Sequence, residues 1–141
     1  MNVRRPVVTA VVAAVLAAGL AGCSSDDTTT ASAPTAAVTT IGATELVDVV
    51  DEEDIVVVDV RTPVEYAEGH VAGAVNIDVS DPSFSDEISA LDPDATYVVY
   101  CRSGNRSADA AAQMVEAGFT DVYDVDAGLA TLSSAGVPLT R

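Results

Sequence analysis

Cys101, Arg102, Ser103, Gly104, Asn105, Arg106 and Ser107 follow one another between the apolar run 96–100 and an Ala-rich stretch of helical periodicity. A cysteine at the point where a buried strand gives way to a helix meets several converging backbone N–H groups. The positive end of the helix dipole there favours a thiolate over a thiol. Such surroundings bring a cysteine from a pKa near 8.5 to roughly 3.5–7.5. A fall of two units needs about 2.7 kcal/mol of preferential thiolate stabilisation, within reach of a partly buried dipole and charge-assisted N–H bonds. Gly104 lets the segment curl so that successive amides point inward as an anion nest. Ser103, Asn105 and Ser107 are small and polar, suited to bracing the curl or donating to a bound anion. Arg102 and Arg106 add positive charge at its rim, Arg106 with an ion pair as its alternative role. The chemistry expected of this loop is nucleophilic attack by Cys101 on an electron-poor centre, with Arg102, Ser103, Gly104, Asn105, Arg106 and Ser107 as the candidate binding residues.

The charge balance limits what could be attacked. The chain has 141 residues and no lysine, and its formal charge is −16. All 22 acidic residues lie after Cys23, against four arginines (Arg61, Arg102, Arg106 and Arg141), which leaves −18 for that part of the chain. Phosphate backbones repel such a chain, so nucleic acid is excluded as a partner. A small anion has few places to bind, and two of the four arginines stand in the Cys101 loop. One histidine and no cysteine cluster give no basis for a metal site, and no cofactor is expected.

The N-terminus reads as an address. Arg4 and Arg5 precede an apolar stretch at 7–20, and Leu20-Ala21-Gly22-Cys23 follows. Charge, then apolar residues, then small residues is the order of a secretory signal. The apolar stretch is shorter than the roughly 18–20 residues that span hydrocarbon. Leu20 to Cys23 resemble the lipobox of bacterial lipoproteins, which implies that residues 1–22 are removed and that Cys23 carries the lipid. The expectation is an exported protein, lipid-anchored to the outer face of the cytoplasmic membrane. Residues 23–40 then form a flexible tether, because Ser, Thr, Ala, Asp and Pro bury too little apolar surface to offset ordering. With Cys23 lipidated, Cys101 is the one free thiol and no internal disulfide forms.

Residues 41–141 are enough for one domain. Residues 55–60 and 96–100 are apolar without alternation, as in parallel strands covered on both faces. Shorter strands are expected at 74–77 and 121–125. Helices are expected at 46–50, at 85–91, at 107–117 with Gly118 beyond its end, and at 128–135. A further helix starts at Thr62, with Pro63 in its first position and Glu65 completing a capping box. Ala108, Ala111, Ala112 and Val115 give the 107–117 helix an apolar face. Alternating strands and helices predict an α/β fold, an open parallel sheet with helices on both faces. Sites form at the carboxyl ends of the strands of such sheets, where Cys101 stands.

The segments Asp59-Val60-Arg61-Thr62-Pro63, Glu65-Tyr66, Glu68 to Ile77, the Cys101 loop, Arg106-Ser107-Ala108 and Gly136-Val137-Pro138-Leu139 occur in this order. In that combination the chain resembles the single-domain sulfurtransferases of the rhodanese family. The resemblance implies a rhodanese-like sheet, attack by Cys101 on the outer sulfur of a donor such as thiosulfate, and a Cys101 persulfide relieved by a thiol acceptor. The partners implied are a small sulfur-containing anion and that acceptor. Asp59 and Arg61 are expected to pair as a brace, and His70 to make a structural hydrogen bond. Three residues depart from the family's pattern: Ala72 replaces a usual proline, Ala127 the first of a glycine pair, and Leu132 a common tryptophan. The last predicts a less firmly packed final helix. Two alternatives stand beside the enzyme. Cysteine phosphatases and arsenate reductases of this fold have a loop one residue longer, with arginine six positions after the cysteine, where this chain has Ser107. A non-enzymatic persulfide carrier or binding module would use the same cysteine without turnover.

Overall fold

The computed structural model describes residues 36–141. Five parallel strands form the sheet, in the order β1-β6-β5-β2-β4. These are β1 (Val38–Ile41), β6 (Asp121–Gly128), β5 (Thr96–Cys101), β2 (Ile55–Asp59) and β4 (Val75–Asn76). A small antiparallel pair, β3 (His70–Val71) with β7 (Leu139–Thr140), lies beside it. The helices are α1 (Ala43–Val49), α2 (Pro63–Glu68), α3 (Phe84–Ile88), α4 (Asn105–Glu116) and α5 (Leu129–Ala135). The expected α/β architecture is therefore present. The expected signal peptide, the expected lipid site Cys23 and most of the expected tether lie outside the described residues. Among the described residues no helix is long and apolar enough to cross a membrane.

Successive residues of a strand face opposite sides of a sheet, and β5 uses both. Tyr97, Val99 and Cys101 enter one core with Ile88, Ala110, Ala111, Met114 and Phe119. Val98 and Tyr100 enter the other with Leu46, Val71 and Leu132. A strand buried on both faces has to be apolar throughout, which is why 96–100 reads as an unbroken hydrophobic run.

Several expectations need correction. The tether expected at 23–40 takes in residues 38–40, yet Val38–Ile41 pairs along its whole length with Val122–Val125 as an edge strand. Its outward-facing threonines hide the strand in a Thr-rich segment. In α4 the buried residues are Ser107, Ala110, Ala111 and Met114, whereas Ala108 and Ala112 are exposed. The helix is rotated because Ser107 turns inward to the loop, and its small side chain is easily buried. Leu132 is fully buried in the second core, so the final helix is packed at the residue that replaces tryptophan. At Ala72 the amide donates to the Pro138 carbonyl at 2.9 Å, a bond that a proline there could not make.

Candidate active site

The end of β2 is made rigid first. Arg61 donates from Nε and Nη2 to both carboxylate oxygens of Asp59, at 2.6–3.1 Å, and from Nη2 to the Gly69 carbonyl at 2.7 Å. Tyr100 donates its hydroxyl hydrogen to Asp59 and accepts from the Val71 amide. Asn76 Nδ2 donates to the carbonyls of Asp59 and Arg61. This buried pair has every oxygen satisfied, the condition under which burying charges is tolerable. Burial beside Asp59 also pushes the Tyr100 phenol up, so it stays a donor. His70 Nδ1 lies 2.9 Å from the Tyr66 carbonyl, and its ring stacks on Tyr66 at 3.6 Å. Asp59, Arg61 and His70 thus build the frame, as expected.

The loop hangs from that frame. Thr62 caps α2 by accepting from the Glu65 amide, while Glu65 accepts from the Thr62 amide and hydroxyl. The same carboxylate binds Arg106 through two bonds of 2.8 and 2.9 Å. Those bonds and the Thr62 donors hold the Glu65 carboxyl down to about 2, against the opposing effect of its burial. Arg106 is thereby committed to a clamp that ties the first turn of α4 to α2. Arg102 is different: its side chain is 77% exposed and no nearer than 3.9 Å to Glu65.

Cys101 closes β5, and its thiol is buried at the floor of the loop. Gly104 sits at φ 90°, the left-handed region that glycine tolerates, and its amide donates to Sγ at 3.1 Å. Burial works against the thiolate. The amides of Ser103, Ser107 and Gly104 and the Ser107 hydroxyl outweigh it, and the thiol lies below its ordinary value. Ser107 is fully buried and donates to the Gly104 carbonyl at 2.9 Å, locking the curl. Ser103 lines the nest through its amide, while the side chains of Ser103 and Asn105 face solvent. A cleft of 520 Å³ runs beside the loop, lined in part by Arg61, Arg102 and Arg141. Three of the four arginines after Cys23 therefore share one cleft.

Sequence reasoning missed Gly128 and the second role of Glu65. A Cβ on Gly128 would lie 2.2 Å from the Arg102 carbonyl, so β6 can pass under the loop only with glycine there. Glu65 and Arg106 are 41 residues apart, and nothing local reveals their contact. Among the described residues no group of His, Cys, Asp and Glu could hold a metal ion.

Residues 42–135 match the model of the Rhodanese-like domain. The thiosulfate sulfurtransferase GlpE of Pseudomonas fluorescens is 48% identical over 77 residues, covering 55% of this chain and 69% of that protein. GlpE of Pseudomonas aeruginosa is 44% identical over 86 residues, covering 61% and 76%. Among solved structures, a rhodanese-related protein from Thermoplasma volcanium superposes with a TM-score of 0.64 at 30% identity, covering 72% of this chain and 97% of that one. The family match spans four of the five strands of the sheet, the frame and the Cys101 loop, and the chain belongs to the rhodanese-like family.

Proposed function

We propose that the chain is a thiosulfate sulfurtransferase that works through a persulfide on Cys101. The observation that carries this reading is the buried thiol held below its ordinary value at the focus of the loop amides. Membership of the family and the thiosulfate sulfurtransferase relatives support the enzyme class. In the first half-reaction the Cys101 thiolate attacks the outer sulfur of thiosulfate. The new S–S bond forms as the old one breaks, and sulfite leaves with the bonding electron pair. In the second, a thiolate acceptor attacks the outer sulfur of the persulfide, takes it, and returns Cys101 as thiolate. The amides that stabilise the thiolate are placed to stabilise the persulfide anion as well, which is nucleophilic catalysis supported by preorganised dipoles.

Arg102 is the binding residue for the anionic donor, with Arg61 and Arg141 shaping the potential of the adjoining cleft. Ser103, Gly104 and Ser107 serve through their amides, and Asn105 and Arg106 through loop shape. The commitment of Arg106 to Glu65 and the short loop speak against a phosphatase, whose arginine has to face the phosphate. Turnover of thiosulfate with cyanide or a small thiol distinguishes an enzyme from a carrier. Steady production of thiocyanate, or of the acceptor thiol's persulfide, is expected, and transfer that stops after one equivalent contradicts the enzyme reading.

The setting belongs to the same proposal. Cys23 carries a lipid and holds the domain at the outer face of the cytoplasmic membrane. Metabolic labelling with a fatty acid in a bacterial host tests this: label lost on Cys23→Ala supports it, and an unlabelled soluble wild type refutes it.

A further inference from the structure

The cleft beside the Cys101 loop is larger than a small inorganic donor requires. Its volume of 520 Å³ falls in the range that takes a whole organic ligand. It also starts at the nucleophile. Arg102 follows Cys101 in the chain, and Leu129 follows Gly128, the register partner of Cys101. Arg61 follows Val60, whose amide donates to the Tyr100 carbonyl at 3.1 Å. Three of the lining residues therefore stand one step beyond positions paired with the end of β5.

The lining divides by chemistry. Leu129, Ala130 and Leu139 make its apolar part, and Leu139 is 38% exposed, a large hydrophobic side chain left uncovered. The charged residues are not equivalent. Arg61 is spent on Asp59 and the Gly69 carbonyl, and Glu65 on Arg106. Arg141 makes one hydrogen bond among the described residues, from Nε to the Glu68 carbonyl at 3.1 Å, which leaves its two Nη groups for a ligand. Among the same residues the Glu68 carboxylate forms no ion pair, which weighs against a ligand of several negative charges. A strap fixes Arg141 in place. Thr140 pairs with His70 and Leu139 with the buried Val71, and the Ala72 amide donates to the Pro138 carbonyl. Alternation along the strap puts Leu139 and Arg141 on the same side, and both line the cleft.

We infer that this cleft is the subsite of the sulfur acceptor, and that the acceptor is a small organic thiol bearing a carboxylate. Its carbon chain lies against Leu129 and Leu139. Its carboxylate is held by the Arg141 guanidinium, whose planar fork matches that group. Arg141 is then a specificity residue for the second half-reaction. The acceptor's thiolate attacks the outer sulfur of the Cys101 persulfide, the S–S bond breaks with its electron pair on Cys101, and the acceptor leaves as a persulfide. The carboxylate is unchanged in this step and serves to place the thiolate. This inference rests on the Cys101 persulfide.

The test is the discharge of a preformed persulfide by two thiols of matched shape, N-acetylcysteine and its uncharged amide. The full chain is loaded with thiosulfate, freed of excess donor and mixed with each thiol. Loss of the added sulfur is followed by intact mass, with Cys101→Ser as the blank. The readout is the ratio of the two second-order rate constants, acid over amide, in wild type and in Arg141→Gln. Comparing the ratios cancels the thiols' own difference in reactivity. The substitution should lower the ratio about three- to fivefold, the scale of an exposed charge contact. Arg141→Lys should restore part of it, and added salt should lower it more in wild type than in the glutamine variant. Melting curves establish that each variant is folded. Equal ratios in wild type and Arg141→Gln overturn the inference, as does a persulfide that cyanide discharges and neither thiol does; both results leave the persulfide reading standing. No sulfur uptake from thiosulfate by wild type overturns the persulfide reading and the inference with it.

Discussion

Replacing Glu65 with glutamine should loosen the loop without removing any part of the nest. Glutamine still fits the third position of α2 and can accept from Thr62, but it cannot form the two charge-assisted bonds to Arg106 at 2.8 and 2.9 Å. Bonds of this kind are among the stronger ones, although water reaches both partners, with side-chain exposures of 19% and 30%. Discounted for that screening, the pair should contribute about 1–2 kcal/mol. For a domain near 100 residues this corresponds to a fall in melting temperature of about 5–10 °C. The pH dependence has a definite sign. The folded-state carboxyl, held down to about 2, lies below its ordinary 4.5. The stabilisation is therefore complete above 4.5 and is lost as pH falls towards 2. Thermal denaturation followed by circular dichroism at pH 7, 4 and 2.5 should show the gap between wild type and Glu65→Gln narrowing through that window. A gap of the same size at pH 2.5 would refute the ion-pair reasoning and assign the loss to packing around the cap.

Other substitutions separate chemistry from framework. Cys101→Ser should abolish sulfur transfer and leave the melting temperature within a few degrees of wild type; retained activity removes Cys101 from the mechanism. Arg102→Ala should raise the KM for thiosulfate about two- to fivefold, the scale of an exposed charge contact, and flatten the salt dependence of kcat/KM. An unchanged KM would mean that Arg102 does not touch the donor. Gly128→Ala forces a Cβ against the Arg102 carbonyl and should cost about 1–3 kcal/mol as an overpacked contact, with a drop in kcat; full stability and activity would mean that the strand moves freely. Asp59→Asn leaves Arg61 buried without its counter-charge, which should cost about 3–5 kcal/mol in urea denaturation, and a loss below 1 kcal/mol would contradict its role as a brace.

The parts of the molecule that were legible in the sequence are those whose cause is local. Thr62, Pro63 and Glu65 signal a helix start within four residues, and the capping box is formed by those side chains. Cys101 and Gly104 signal a nest within one turn, and the amide of Gly104 does meet the sulfur. Asp59 and Arg61 pair across a single residue. What was hidden depends on contacts between distant segments. β1 exists because β6 offers it an edge 84 residues away. The face of α4 is decided by Ser107 reaching the loop, which outweighs a row of alanines. Asp124 follows Val122 on the face of β6 that enters the core beneath α4, and only the pairing of β6 with β5 shows that this carboxyl is buried.

The most direct measurement is the intact mass of the reduced, folded protein after incubation with thiosulfate, before and after a thiol chase, with Cys101→Ser alongside. The account predicts a gain of one sulfur atom on Cys101, removed by the thiol and absent from the serine variant. No gain on the wild-type protein, or an equal gain on the variant, would contradict a persulfide at Cys101.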